Sequence, residues 1–153
     1  MNEKAARKLF IRHTKDAPAT PMHLKKLWPA FLTLCGMYGE PIGAGSHRIV
    51  WQEGWEVIKI DITPGANARE LAGKPSDRYV GKRREAGKLP ADCLAKCWKD
   101  PVLSALLKML IIRMELVQDV PRGILLPPWV TMVDNCQVGM NRDGQIVAYD
   151  YAD

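Results

Sequence analysis

The stretch from Gly43 to Ile60, GAGSHRIVWQEGWEVIKI, decides the fold that we predict for this chain. Apolar and polar residues alternate in Arg48-Ile-Val-Trp-Gln and again in Trp55-Glu-Val-Ile-Lys-Ile, which is the period of a half-buried strand. Glu53-Gly54 lies between the two segments and is typical of a tight turn. The stretch therefore predicts a β-hairpin within a small β-rich part built on residues 42–60.

Helical patterns surround this hairpin. We predict a short helix over residues 3–15 and a second helix that begins at Thr20-Pro21, where a hydroxyl can cap the helix and proline can take its first position. Pro29 lies inside the second pattern, so we expect a kink or a restart there. After the hairpin, we predict short helices over residues 66–71, 77–87 and 91–98.

The second half of the chain contains one further helix signal and one further hairpin signal. Asp100-Pro101 predicts a helix start, and the apolar residues from Leu103 to Met114 follow at helical spacing. Asn141-Arg-Asp-Gly144 is a strong turn sequence between two short apolar segments, 138–140 and 145–149. The order of helix, hairpin, helices and hairpin predicts an α+β fold.

Composition sets limits on the class of protein. The chain has 153 residues, of which 47% are hydrophobic and 25% are charged, so we expect a single globular domain over residues 1–153. No run approaches the 18 apolar residues of a membrane span, and no apolar signal core lies at the N-terminus. The four cysteines lack zinc-pair spacing, and we expect free thiols in a reducing cytoplasm.

The charge is unevenly distributed. Residues 1–26 carry seven basic and two acidic groups, so they account for the whole net charge of +5. Such a segment favours nucleic acid, acidic proteins or anionic membranes as partners, although a solvated helix face has the same composition. Residues 1–20 are therefore a basic N-terminal segment, and their composition does not decide whether the segment is mobile.

Three residue types in the first hairpin indicate an anion site. Gly43 and Gly45, followed by Ser46, let backbone N–H groups approach a phosphate closely. Lys59 lies between apolar residues in a strand that we expect to be buried, so its ammonium needs a partner. That partner could be a phosphate together with a helix glutamate, or a structural carboxylate alone.

These residues resemble the protein-kinase-like superfamily, in particular its compact, divergent members from phages and bacteria. Gly43, Gly45 and Ser46 resemble the phosphate-covering loop, and Lys59 matches the lysine of the Val-Ala-Ile-Lys strand. In this family a helix glutamate pairs with that lysine. Two residues match that role, Glu70 and Glu85, and the sequence does not choose between them.

The C-terminal hairpin carries the second half of the resemblance. Gln137-Val-Gly, Asp143-Gly and Ile146-Val-Ala-Tyr-Asp150 are similar to the family's Asn-Ile-Leu, Asp-Gly and Asp-Phe-Gly segments. The resemblance implies that Gln137 and Asp150 hold Mg²⁺ against the phosphates of ATP. It also implies a loop and hairpin over residues 132–150 that close a cleft beside Lys59. A purely structural hairpin would have the same turn sequence.

The sequence departs from the family in its catalytic residues. His-Arg-Asp is missing, and the position of the catalytic base falls on Met132, which cannot accept a proton. Asp134 lies nearby and is the candidate for an irregular base. The chain also ends soon after Asp150, without the family's helical substrate lobe.

We therefore expect a small kinase-like α+β domain, with an N-lobe-like β-hairpin and a second hairpin packed on helices. Our first functional hypothesis is a non-catalytic protein, with no enzyme activity, that binds and modulates a host protein in the host cytoplasm, as phage-type inhibitors do. The first alternative is an ATP- and Mg²⁺-dependent phosphotransferase. The second is a nucleic-acid-binding protein that uses its basic N-terminus, with the five tryptophans as candidate stacking groups.

Overall fold

A computed structural model describes residues 1–44, 47–73, 91–133 and 137–149, apart from the side chains of Ala91 and Met132. Helices and antiparallel strands are both present, so the α+β class is confirmed. The helices are α1 (Glu3–Thr14), α2 (Pro21–Tyr38), α3 (Ala66–Leu71) and α4 (Pro101–Leu107). The strands are β1 (Gly43–Ala44), β2 (Arg48–Glu53), β3 (Glu56–Asp61), β4 (Cys97–Lys99), β5 (Ile112–Glu115), β6 (Val138–Met140) and β7 (Ile146–Ala148).

The predicted first hairpin forms the centre of a five-stranded antiparallel sheet with the strand order β1-β2-β3-β5-β4. Its register pairs Val50 with Lys59 and Glu53 with Glu56. Successive residues along β3 point to opposite faces of the sheet. Ile58 and Ile60 therefore lie on one face, and Val57 and Lys59 lie on the other.

The first face of the sheet packs on α1 and α2. Phe31 and Leu34 of α2 lie in one buried cluster with Trp51, Ile58 and Ile60 of the sheet. The N-terminal segment belongs to the same core, because Ala6 and Phe10 of α1 are buried in it. This helical layer leaves the opposite face of the sheet for α3 and the C-terminal hairpin.

The second hairpin, β6–β7, forms at the predicted turn and packs on that opposite face. Val147 lies in a buried cluster with Val57 and Met114 of the sheet. Backbone hydrogen bonds hold the hairpin at two places. Gln118 and Met140 each donate an N–H to the carbonyl of the other, and the N–H of Ala95 donates to the carbonyl of Ala148. The hairpin is therefore joined by its main chain to the segments that precede β4 and follow β5, and by its side chains to the sheet itself.

Two helix predictions are wrong. Residues 91–98 form a short 3₁₀ turn, Ala91–Cys93, and then strand β4 instead of a helix. The helix that begins at Pro101 ends at Leu107, because Lys108 adopts a left-handed conformation at φ 55°. Residues 112–115 form β5, where Ile112 and Met114 share one side at strand spacing and pair with β3.

The remaining helix predictions have different outcomes. The helices over residues 3–15 and 66–71 are confirmed as α1 and α3. Thr20 caps α2 as predicted. Of the kink or restart expected at Pro29, the restart does not occur, because α2 continues through this residue. The predicted helix over residues 77–87 lies outside the described residues.

Candidate functional site

The centre of the candidate site is an ion pair between β3 and α3. Lys59 Nζ lies 3.2 Å from Glu70 Oε1, and the two residues are 1% and 2% exposed. Lys59 Nζ also lies 3.5 Å from Met114 Sδ on β5. Of the two glutamates that matched the role of partner, Glu70 is therefore in contact with Lys59, whereas Glu85 lies outside the described residues.

Hydrogen bonds donated by Asn67 hold α3 in the position that presents Glu70. The Asn67 side-chain amide donates to the carbonyls of Lys59, at 2.8 Å, and Leu110, at 3.0 Å. The backbone N–H of Asn67 donates to Asp61 Oδ1 at 2.8 Å, which satisfies one donor of the first helical turn. These bonds fix a six-residue helix that would be unstable alone.

Arg48 is a third member of this cluster, which we call the Glu70 cluster: Arg48, Lys59 and Glu70. The guanidinium of Arg48 donates from Nη1 to Glu70 Oε2, while Lys59 contacts the other oxygen. Arg48 is 3% exposed. One buried carboxylate therefore joins the beginning of β2, the middle of β3 and the helix α3.

We did not predict from the sequence that Arg48 belongs to the site, although the sequence contains a signal for it. The turn at Glu53-Gly54 sets a register that pairs Arg48 with Asp61 and Val50 with Lys59. Paired residues in an antiparallel sheet lie on the same face. Arg48 and Lys59 were therefore predictable as neighbours on the face that carries Glu70.

The predicted site residues are only partly brought together. Gly43 lies in β1 and pairs with Val50, which in turn pairs with Lys59. Gln137 is buried, and its backbone carbonyl accepts a hydrogen bond from the N–H of Tyr149. The other predicted members lie outside the described residues: Gly45, Ser46, Asp134 and Asp150.

A second charged cluster lies on the opposite face of the sheet. Arg113 of β5 donates to Asp100 at 2.7 Å, to Glu56 at 2.9 Å and to Glu53 at 3.0 Å. Burial alone would lower the pKa of Arg113, but these hydrogen bonds raise it above its ordinary value. We call these four residues the Arg113 cluster.

The charge of Asp100 is favoured in the same cluster. Burial alone would raise the pKa of this carboxyl group. Hydrogen bonds from Arg113 and from the backbone N–H of Leu103 outweigh that effect and lower the pKa below its ordinary value. Asp100 therefore caps α4 as an anion and binds Arg113 at the same time.

An exposed apolar strip, Ile124–Leu126, follows the sheet. Leu125 is 94% exposed, and its two neighbours are each nearly half exposed. A cavity of about 370 Å³ lies beside the strip and is lined by Asp119, Val120, Pro121, Ile124, Leu126, Val130 and Val138. Consecutive exposed aliphatic side chains beside a surface cavity are typical of an interaction surface.

Neither a metal-ligand cluster nor a membrane-spanning helix is found in the described part of the chain. Within residues 1–44, 47–73, 91–133 and 137–149, no three His, Cys, Asp or Glu side chains cluster in a way that could hold a metal ion. Gln137 is the described member of the implied Mg²⁺ pair, and its partner Asp150 falls outside. None of the described helices has the length and apolar character needed to cross a membrane.

Comparison with known proteins found no matching family model, no matching curated protein and no matching solved structure.

Proposed function

We propose that this protein is kinase-like and non-catalytic, and that it acts by binding a partner protein through the apolar strip Ile124–Leu126. The observation that carries this proposal is the burial of Lys59. A nucleotide needs this lysine at the surface of a cleft, but its side chain is 2% exposed and contacts both Glu70 and Met114. The Glu70 cluster in this proposal stabilises the fold.

Packing of the hairpin supports the same proposal. Val147 of β7 lies against Val57 and Met114, on the face of the sheet that carries Lys59. A nucleotide base at this position would have to displace these buried contacts, at a cost in hydrophobic free energy. The side chain at the position of the catalytic base, Met132, is a thioether and cannot take a proton from a hydroxyl substrate.

The apolar strip supplies the proposed binding surface. Pro121 precedes the strip and Pro127-Pro128 follows it, which restricts its backbone and lowers the entropy that is lost on binding. Leu125 points into solvent beside a cavity that can take an apolar side chain of the partner. If the chain is encoded by a phage, this partner is a host protein.

Two variants test the partner surface. We expect Leu125→Glu to abolish capture of the partner, because a charge then enters the apolar contact. Leu106→Glu is the matched control, since Leu106 is another exposed leucine but lies on α4. The partner should be identified by affinity capture from host extract, and its affinity for each purified variant measured by titration calorimetry. Equal affinity for the two variants would contradict the proposal.

One observation favours a second function, nucleotide binding with phosphotransfer. The 3.2 Å contact between Lys59 and Glu70 joins a strand lysine to a helix glutamate, as in active protein kinases. In that case Arg48 would add a second cation for the phosphates, and Asp150 would be needed for Mg²⁺.

A thermal-shift titration separates the two functions. A ligand that binds the folded state raises the unfolding temperature by mass action. The non-catalytic proposal predicts no rise at millimolar ATP with Mg²⁺ or with EDTA. A rise that requires Mg²⁺, is lost in Lys59→Met and Asp150→Asn, and persists in the exposed control Lys96→Met would favour the phosphotransferase.

A further inference from the structure

One face of α1 carries a row of basic side chains. Successive residues of an α-helix turn by about 100°, so residues four apart lie on one face. Lys4, Lys8, Arg12 and Lys15 fall within an arc of about 80°, and the row is about 16 Å long at the rise of a helix. All four residues are exposed. We call them the basic row.

The basic row faces away from the core. The buried residues of α1 are Ala6, Phe10 and Thr14, which lie on the opposite side of the helix. Packing on α2 therefore fixes the helix with the basic row in solvent. Lys25 and Lys26, near the start of α2, are exposed as well.

Few of these cations are neutralised by neighbours. Within the part of the chain that the structure describes, Lys4, Lys8 and Lys15 have no ion-pair partner. Arg12 lies 3.7 Å from Glu40, and both side chains are more than 60% exposed. An exposed pair of this kind is worth at most about 1 kcal/mol, so an incoming anion can replace Glu40.

From this arrangement we propose that the basic row binds the phosphate backbone of a nucleic acid without reading its sequence. Cations four residues apart are separated by about 6 Å along the helix axis, and the row can contact successive phosphates of one strand. The backbone carries charge at every nucleotide, whereas an acidic protein surface has no such repeat. This surface is separate from the apolar strip, and it does not depend on the proposed function.

An anionic membrane fits the helix less well. Interfacial helices insert an apolar face between lipids. In α1 that face is buried against α2, and Ile11 is the one large apolar residue of the helix that is more than half exposed.

The test is binding of the full chain to a labelled 20-nucleotide single strand and to its duplex, measured by fluorescence anisotropy at 50 and 200 mM salt. Four phosphate contacts predict about a fifty-fold loss of affinity for the single strand over this range. The variant Lys4→Gln/Lys8→Gln/Lys15→Gln should bind weakly and should lose about three-quarters of the salt dependence.

The control Lys96→Gln/Lys99→Gln/Arg122→Gln makes the same change in net charge at exposed sites elsewhere. It should bind like the wild type, and circular dichroism should show that both variants are folded. An equal loss in the two variants would overturn the proposal, because net charge alone would then explain binding. So would no binding by the wild type, or tighter binding to phosphatidylserine vesicles than to nucleic acid.

Discussion

The Glu70 cluster and the Arg113 cluster lie on opposite faces of one sheet and use opposite charges at their centres. In the first, one carboxylate contacts two cations, and all three residues are at most 3% exposed. In the second, one guanidinium contacts three carboxylates, two of which are partly solvated. The free energy of each contact should therefore be larger in the Glu70 cluster, where water cannot replace a lost partner.

The largest effect that we expect is from Glu70→Gln. This change leaves Arg48 and Lys59 buried without the carboxylate that joins them, and breaking a buried ion pair in this way costs about 3–5 kcal/mol. Urea unfolding followed by circular dichroism measures the loss. Glu53→Gln is the control from the other cluster, where a half-exposed side chain should cost less than about 1 kcal/mol. Equal losses would remove the difference between the clusters.

An intermediate effect is expected from Arg113→Met, which removes the central cation of the other cluster. Asp100 then loses its charged partner, while Glu53 and Glu56 can turn to water. Loss of a hydrogen bond between charged groups costs about 1.5–3 kcal/mol. The free energy of unfolding from the same urea titration checks this value, and a loss larger than that of Glu70→Gln would reverse the comparison.

The smallest effect is a pH dependence within the Arg113 cluster. The pKa of Asp100 is lowered in the folded state, so its contribution to stability is present above the ordinary value of 3.8 and is lost as pH falls through the folded pKa. Asp100→Asn keeps a side chain that can cap α4 but removes the charge. Unfolding measured from pH 5 to pH 2 should show a shallower decline for this variant than for the wild type. Parallel curves would mean that Asp100 does not take part in the acid dependence.

Local sequence patterns were sufficient to predict the two hairpins and most of the helix starts. Asp100-Pro101 and Thr20-Pro21 cap their helices as predicted, because a cap depends only on neighbouring residues. The end of α4 was not predictable in the same way. Residues 112–115 fit a helix period as well as a strand period, and pairing with β3 decides between them.

The residues of the candidate site were less predictable from the sequence than the helices and hairpins. Lys59 was recognised because a lysine between apolar strand residues needs a partner, and Glu70 was one of two matching residues. The contact between Lys59 and Glu70 depends on how Asn67 anchors α3 to β3, which is a tertiary contact. The Arg113 cluster was not predicted, since it brings Glu53 and Glu56 of the first hairpin together with Asp100 and Arg113, which lie more than forty residues further along the chain.

The order of strands in the main sheet has a consequence for association between copies of the protein. Among the strands that the structure describes, the two longest, β2 and β3, lie inside the sheet, while the outermost are β1, with two residues, and β4, with three. An edge strand offers unpaired backbone groups on which another chain can add a strand, and short edges limit this template. The segment richest in β-forming residues is thereby kept away from edge-to-edge aggregation.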